Sequence, residues 1–81
     1  MNVAVRYFAA AAEASGCEEE HVELTDGATV GELATLLVER YGEPMGAVLK
    51  SGSFLVDGVV RRDQQHPLSA TVDILPPFAG G

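Results

Sequence analysis

Residues 28–42, ATVGELATLLVERYG, carry the clearest helical signal in the chain. Thr29 and Glu32 have the spacing of a capping box, the reciprocal bonding of side chains to backbone N–H groups that starts many helices. Apolar side chains then recur at the spacing of one helix face, at Val30, Leu33, Ala34, Leu37 and Tyr41. Gly42 and Pro44 are expected to end the helix. Burial of this face contributes on the order of 10 kcal/mol gross, which suffices to hold the helix on a sheet.

Two segments with alternating apolar residues precede this helix. Residues 2–8 and 20–25 both show a period of two, which predicts two strands. The inward positions are Val3, Val5, Tyr7, Val22 and Leu24. Between the two segments, residues 9–14 have a high helix propensity and end near Gly16, which indicates a short helix or turn.

The second half of the chain contains a hairpin signal. Asp57-Gly58 is typical of a two-residue loop, and it separates predicted strands at residues 53–56 and 59–61. Residues 45–51 are predicted to form an irregular connection. Residues 71–75 alternate once more and form the last predicted strand. In that strand Val72 and Ile74 face inward, and Asp73 and Leu75 face outward.

The order of these elements is β, β, α, β, β, β, which predicts the α+β class. The chain has 81 residues, 47% of them apolar, which allows one core only. We expect one domain over residues 1–75 and a flexible tail over residues 76–81. Cys17 is the single cysteine, so no disulfide forms within the chain, and its acidic surroundings argue against a catalytic or metal-binding thiolate.

Charge and hydropathy exclude several classes of function. The net charge is -7, which repels phosphate backbones, so no nucleic-acid partner is expected, whereas protein partners with basic docking faces are favoured. No apolar stretch approaches the roughly 20 residues needed to cross a bilayer, and the N-terminus lacks a signal peptide. We expect a soluble, cytoplasmic protein. His21 and His66 are isolated in the sequence, so no metal site and no bound cofactor are expected.

The sequence finishes with Pro76-Pro77-Phe78-Ala79-Gly80-Gly81. Because glycine has no Cβ, the last two residues can pass through a channel too narrow for a branched side chain. An α-carboxylate at Gly81, with a pKa of roughly 3.5, resists nucleophiles until ATP converts it to an acyl-adenylate. Six extended residues reach about 20 Å, and the two prolines stiffen the base of this arm. The alternative is a frayed end without function.

Taken together, these residues resemble the β-grasp sulfur carriers (MoaD/ThiS type), and most closely the small subunits of molybdopterin synthase. The resemblance covers the whole chain, and its most diagnostic part is residues 74–81, ILPPFAGG. The other matching segments are residues 5–9, 57–58 and 66–68. The resemblance implies a ubiquitin-like β-grasp fold, with a mixed sheet of four to five strands packed on one main helix. The chain departs from the family at Ala12-Glu13, where members usually carry an Arg-Glu pair.

The resemblance also implies a function in molybdenum cofactor biosynthesis. An adenylyltransferase similar to ubiquitin-activating enzymes would consume ATP to adenylate Gly81, and a sulfur donor would convert it to a thiocarboxylate. Within a heterotetramer with the large synthase subunit, this group would donate sulfur to a cyclic pyranopterin precursor. The chain would be a carrier and not an enzyme, with catalytic side chains supplied by its partners. The arm formed by Pro77, Phe78, Ala79 and Gly80 would deliver Gly81.

Partner contacts are expected on the outward face of the sheet, beside the start of the tail. Phe8 and Leu75 are apolar and outward there, and the family resemblance adds Glu13. Three alternatives stay open. The same tail could supply sulfur for thiazole, cysteine or transfer-RNA thiolation, it could be conjugated to target lysines as a ubiquitin-like modifier, or the domain could be a plain interaction module.

Overall fold

The computed structural model describes residues 1–77 of the chain, and those residues form one mixed sheet covered on one face by helices. The strands are β1 (Asn2–Tyr7), β2 (Glu19–Glu23), β3 (Ser53–Val56), β4 (Val59–Arg61) and β5 (Thr71–Leu75). The helices are α1 (Ala10–Ser15), α2 (Val30–Tyr41) and α3 (Glu43–Ser51). The predicted α+β class and the mixed, five-stranded sheet are confirmed.

The sheet has the strand order β2-β1-β5-β3-β4. The two central strands, β1 and β5, run parallel, and every other neighbouring pair is antiparallel. Because the sheet is covered by helices on one face only, its strands alternate between a core side and an open side, which we call the outer face. The core side holds Val3, Val5, Tyr7, Val22, Phe54, Val56, Val72 and Ile74, all at most 8% exposed.

Helix α2 follows its sequence pattern closely. The Thr29 side chain accepts a hydrogen bond from the Glu32 backbone N–H at 3.3 Å, as a helix N-cap does. Leu33 and Leu37 are fully buried against the sheet. The helix ends at Gly42, whose φ of 78° lies in the left-handed region that favours glycine.

The irregular connection predicted for residues 45–51 is wrong, because the structure has helix α3 there. Pro44 lies in the first turn of α3, where a missing N–H costs nothing, so it starts this helix as well as ending α2. Met45 and Val48, three residues apart, are buried in the core. Tertiary burial therefore overrides the low helix propensity of Gly46.

The predicted strands agree with the structure to within one or two residues. The chain turns between β3 and β4 at Asp57 and Gly58, whose φ angles are 51° and 78°, as a two-residue hairpin loop requires. Strand β1 ends at Tyr7, one residue before the predicted end. The segment predicted as a short helix or turn is α1, which begins at Ala10.

Within residues 1–77, no helix is long and apolar enough to cross a membrane. Residues 78–81 lie outside the described part of the chain. The division into a domain over residues 1–75 and a tail over residues 76–81 therefore stays a prediction.

Candidate functional site

The end of β5 lies beside the end of β1, where the C-terminal segment begins. Tyr7 pairs with Ile74 in the parallel register, and the Phe8 N–H donates to the Ile74 carbonyl at 3.1 Å. This bond extends the pairing by one residue and places Phe8 and Leu75 at neighbouring positions on the outer face. Phe8 is 41% exposed, and Leu75 is half-buried. The sequence-based assignment of both side chains to the outward face is confirmed.

An ion pair lies next to these two apolar residues on the outer face. The Arg6 guanidinium binds both carboxylate oxygens of Asp73, with Nε–Oδ1 at 2.6 Å and Nη2–Oδ2 at 2.8 Å. The hydrogen bond to Asp73, together with its charge, raises the pKa of Arg6. The same guanidinium carbon lies 6.0 Å from the centre of the Phe8 ring. Asp73 faces outward as predicted, but Arg6 covers it so that it is only 8% exposed.

Two further apolar residues continue the outer face across β3 and β4. Leu55 pairs with Asp73 on one side and with Val60 on the other. Val60 is 47% exposed and Leu55 is half-buried. We call Phe8, Leu55, Val60 and Leu75 the outer-face patch. Exposed apolar side chains grouped in this way are typical of a protein docking surface.

The backbone at the base of the C-terminal segment packs tightly against Gly52, the residue that ends α3. A Cβ atom at Gly52 would lie 2.1 Å from the Leu75 carbonyl oxygen and 2.7 Å from the Val48 carbonyl oxygen. Both neighbours are backbone atoms, so only a residue without a side chain fits. Gly52 therefore positions the end of β5 against the end of α3.

A partly buried carboxylate, that of Glu20, anchors the end of β1 to α2. Glu20 Oε2 accepts hydrogen bonds from the hydroxyls of Tyr7, at 2.5 Å, and of Tyr41. Glu20 Oε1 accepts one from Arg40 Nη1 at 3.0 Å. Burial alone raises the pKa of Glu20, but these hydrogen bonds and the Arg40 charge outweigh burial and lower it. Burial and the bond to Glu20 raise the pKa of Tyr41 to about 12, and they also raise the pKa of Tyr7.

We expect Glu20→Gln to destabilise the fold by about 1 to 3 kcal/mol at neutral pH, because hydrogen bonds to a charged group are lost. Since folding lowers the pKa of Glu20, its stabilisation is fully present above the ordinary value of 4.5 and is lost as the pH falls through the folded value. Urea unfolding at pH 7 and at pH 3 to 4 tests this. The difference between wild type and variant should shrink in acid.

The matched control is Glu19→Gln, because Glu19 is the adjacent residue and its side chain is 51% exposed. This change should alter the free energy of unfolding by no more than about 0.5 kcal/mol. Equal losses in the two variants would contradict an anchoring role for Glu20.

The sequence from Val5 to Gly81 matches the ThiS family. The chain belongs to the ThiS family. The predicted resemblance to the MoaD/ThiS-type β-grasp carriers is thereby confirmed, and the match includes the last four residues of the sequence. No curated protein matches the chain.

Solved structures with the same fold include molybdopterin converting factor subunits and a small archaeal modifier protein. A putative molybdopterin converting factor subunit 1 from Pyrococcus furiosus is 26% identical, with a TM-score of 0.82 over 96% of this chain and 99% of that one. Small archaeal modifier protein 1 from Haloferax volcanii is 22% identical, with a TM-score of 0.76 over 95% and 98%. A chain from the complex of subunits 1 and 2 of the molybdopterin-converting factor from Helicobacter pylori is 23% identical, with a TM-score of 0.71 over 100% of both.

The remaining predicted contact residue of this ThiS-family protein, Glu13, lies on α1 and is exposed. Its neighbour Ala12, at the position where the family usually has arginine, packs partly buried against the core. Ala9 links Phe8 to this helix with a φ of 50°, a strained conformation for a residue with a Cβ. The α1 helix thus follows the outer-face patch directly in the chain.

Of the predicted tail residues, Pro77 is described and exposed, whereas Phe78, Ala79, Gly80 and Gly81 lie outside the described residues. The His21 side chain is 61% exposed, and His66 bonds the adjacent Pro67 carbonyl, in agreement with a structural or solvent-exposed place for both. Among residues 1–77 no three His, Cys, Asp or Glu side chains are grouped as a metal site.

Sequence reasoning missed the Arg6–Asp73 pair, Gly52 and the Glu20 anchor in this ThiS-family protein. Arg6 and Asp73 are 67 positions apart in the chain, so no local pattern connects them. Gly52 had a weak signal, as a lone glycine directly before a predicted strand. Glu20 had a signal in the strand alternation, which places it on the same face as Val22.

Proposed function

We propose that this protein is the sulfur carrier of molybdopterin synthase in molybdenum cofactor biosynthesis. The Gly81 carboxylate attacks ATP on an activating enzyme, which forms an acyl-adenylate and releases pyrophosphate. A hydrosulfide equivalent from the sulfur donor then attacks the acyl carbon and expels AMP, which leaves a thiocarboxylate. These steps take place in the cytoplasm, where ATP is available.

Sulfur transfer in this proposal regenerates the starting carrier. The thiocarboxylate sulfur attacks an electrophilic carbon of the cyclic pyranopterin precursor and displaces an oxygen substituent, which leaves with the electron pair of its C–O bond, so that a thioester joins Gly81 to the pterin. Water hydrolyses the thioester at the Gly81 carbonyl, so sulfur stays on the pterin and the carboxylate returns. The carrier contributes its main-chain terminus, and the partners contribute the acids, bases and ATP site. No cofactor is bound by the carrier itself.

The match of the ThiS family through to Gly81 is the observation that carries this proposal. A terminal Gly-Gly has no side chains to hinder passage into a narrow active site. The similarity to a putative molybdopterin converting factor subunit 1 over nearly the whole chain favours the pterin branch. Thiazole, cysteine and transfer-RNA thiolation use the same kind of carboxylate activation and remain the alternatives within the carrier class.

We propose further that the large synthase subunit docks on the outer-face patch, with Glu13 at its margin, in a heterotetramer. Phe8 and Leu75 lie where β5 ends, so a partner seated on them receives the following residues, 76–81. That segment reaches about 20 Å when extended. Docking at the patch therefore fixes the origin of an arm that is long enough to enter the partner's active site.

Phe8→Glu should weaken binding of the large subunit about tenfold or more, because a charge replaces an exposed aromatic side chain within the proposed contact. Leu75→Glu should act in the same direction. Val59→Glu is the matched control, since Val59 is 48% exposed and lies on the edge strand outside the patch. Isothermal titration calorimetry measures all three, and equal weakening by Val59→Glu would exclude the patch as the docking surface.

A mass spectrum of the intact protein and of its C-terminal peptide tests the carrier function. The protein is incubated with ATP, its host's activating enzyme and a sulfur source, and one oxygen of Gly81 should be replaced by sulfur. Transfer to the pyranopterin precursor with the large subunit then separates the pterin branch from the other acceptors. An unmodified terminus, with an activating enzyme proven active on another carrier, would reject the proposal. Amide conjugates to lysines would identify a modifier instead.

A further inference from the structure

Three of the chain's five lysine and arginine side chains surround one groove on the helical side of the domain. Arg6 and Arg40 are each held by a carboxylate. The other three cations form no ion pair within residues 1–77. They are Lys50, Arg61 and Arg62, which we call the basic end. In a protein of net charge -7, the unpaired positive charges are therefore concentrated at a single place.

The basic end continues into an apolar groove between α2 and α3. This groove has a volume of about 460 Å³, and we call it the helix groove. Its apolar lining consists of Ala34, Val38, Gly46, Leu49 and Phe54. The two spaces are continuous, since Leu49, Lys50, Phe54 and Gln64 line both. Val38 is 39% exposed there, although it is a large apolar side chain on a helix.

The groove is asymmetric in charge as well as apolar in its middle. Glu39 lines the helix groove but not the adjoining groove around the basic end. Arg61 and Arg62 line that adjoining groove but not the helix groove. The helix groove therefore fits a ligand that has one apolar group and negative charge on one side only, and it fits that ligand in a single orientation. The volume of the helix groove is within the range of typical ligand pockets, about 300 to 1,000 Å³.

We propose that the helix groove binds a short segment of a partner protein that presents one bulky apolar side chain followed by carboxylates. The apolar side chain fills the space between Val38, Gly46 and Leu49, and the carboxylates lie against the basic end. Acidic segments are repelled by most of this protein's surface, so charge selects this one position. The groove lies on the helical side of the sheet, so it stays open when a partner covers the outer-face patch.

The chain's own residues 78–81 are the nearest rival occupant. Gly52 and Ser53 line the same groove as the three cations of the basic end, and the Leu75 carbonyl lies against Gly52, so β5 ends close to that groove. Residues 78–81 bring a single carboxylate, however, whereas the basic end presents three cations. A segment with several carboxylates matches that charge better.

Titration of the full ¹⁵N-labelled chain with two defined peptides tests the proposal. The first probe is acetyl-Gly-Leu-Gly-Glu-Asp-Glu-amide, and the second has Gln-Asn-Gln in place of the three acids. We expect the amide chemical shifts of the helix groove and of the basic end to change. At low salt the acidic probe should bind at least about fivefold more tightly than the neutral probe. Lys50→Gln and Arg61→Gln should each weaken it about twofold to fivefold.

Gly46→Leu is the blocking variant. A Cβ at Gly46 lies 3.7 Å from Val38 Cγ2, an ordinary contact, so the new side chain enters the groove without a backbone clash. It also removes a glycine from a helix, which favours the fold. Ala47→Leu is the matched control, because Ala47 is exposed on the same helix and does not line the groove. Gly46→Leu should weaken binding of the acidic probe about tenfold or more, whereas Ala47→Leu should change that affinity by less than about twofold.

Four results with the probes would overturn the proposal. These are equal binding of the two probes, shift changes on the outer-face patch instead of the groove, undiminished binding to Gly46→Leu, and no binding of the acidic probe at millimolar concentration. If Phe78→Ala in the full chain changes the groove amide shifts without any probe, the chain's own C-terminal segment occupies the groove. If those shifts depend on protein concentration, a second copy does, and a partner segment is again rejected.

Discussion

Deletion of Gly81 is expected to abolish sulfur loading and transfer, with a loss of at least about 100-fold. The shortened chain still ends in a glycine carboxylate, but its reacting carbon is displaced by about 3.5 Å along the arm. Catalysis depends on placing that carbon beside ATP and later beside the pterin. Gly80→Val should have a comparable effect, because a branched side chain then has to enter a channel shaped for glycine.

Folding should be unaffected by both changes, since the buried core of the described residues extends only from Val3 to Ile74. The melting temperatures of the deletion, of Gly80→Val and of wild type should agree. Ala79→Gly is the control within the arm, because it keeps the length and adds no volume, and it should retain activity. Thiocarboxylate formation, read by mass spectrometry, is the measurement. Sulfur transfer by the Gly81-deleted protein would refute the carrier proposal.

Gly52→Ala is expected to destabilise the domain by about 3 kcal/mol, the upper end of the usual cost of overpacking. The added Cβ would lie far inside the contact distance of two carbonyl oxygens, those of Leu75 and Val48. Neither is the end of a flexible side chain, so β5 or α3 has to move. Because β5 leads to the C-terminal segment, we also expect weaker binding of the large subunit. Urea unfolding measures the first effect and calorimetry the second.

Glycine-to-alanine substitution at Gly46 is the control, and we expect it to change the free energy of unfolding in the opposite direction. Gly46 lies inside α3, where a Cβ makes only an ordinary contact with Val38. Gly46→Ala should therefore stabilise the protein by about 0.5 to 1 kcal/mol, because alanine loses less backbone entropy in a helix. A neutral result for Gly52→Ala would show that the end of β5 does not need this close approach.

Local signals in the sequence predicted most of the fold. Helix α2 was evident because the Thr29 side chain accepts a hydrogen bond from the Glu32 backbone N–H within one turn, and because its apolar face repeats over twelve residues. The β3–β4 hairpin was evident because Asp57-Gly58 tolerates the positive φ angles that its loop requires. Both signals act between residues close in sequence, so they can be read without a structure.

Helix α3 was missed because its stability is not local. Gly46 lowers its helix propensity, and burial of Met45 and Val48 in the core compensates for it. Sequence pattern alone cannot show that compensation, because it depends on which elements pack against the segment. The helix groove was missed for the same reason, since α3 forms one of its walls.

The proposed chemistry of Gly81 rests on the sequence itself, because a Gly-Gly carboxylate has its reactivity and narrow profile wherever it is placed. The alternation of β1 and β5 likewise placed Phe8 and Leu75 outward. Only the tertiary structure paired Arg6 with Asp73, brought Gly52 against Leu75 and gathered Lys50, Arg61 and Arg62 around one groove. These contacts join residues from different elements, and their distances exist only once the sheet and helices have packed together.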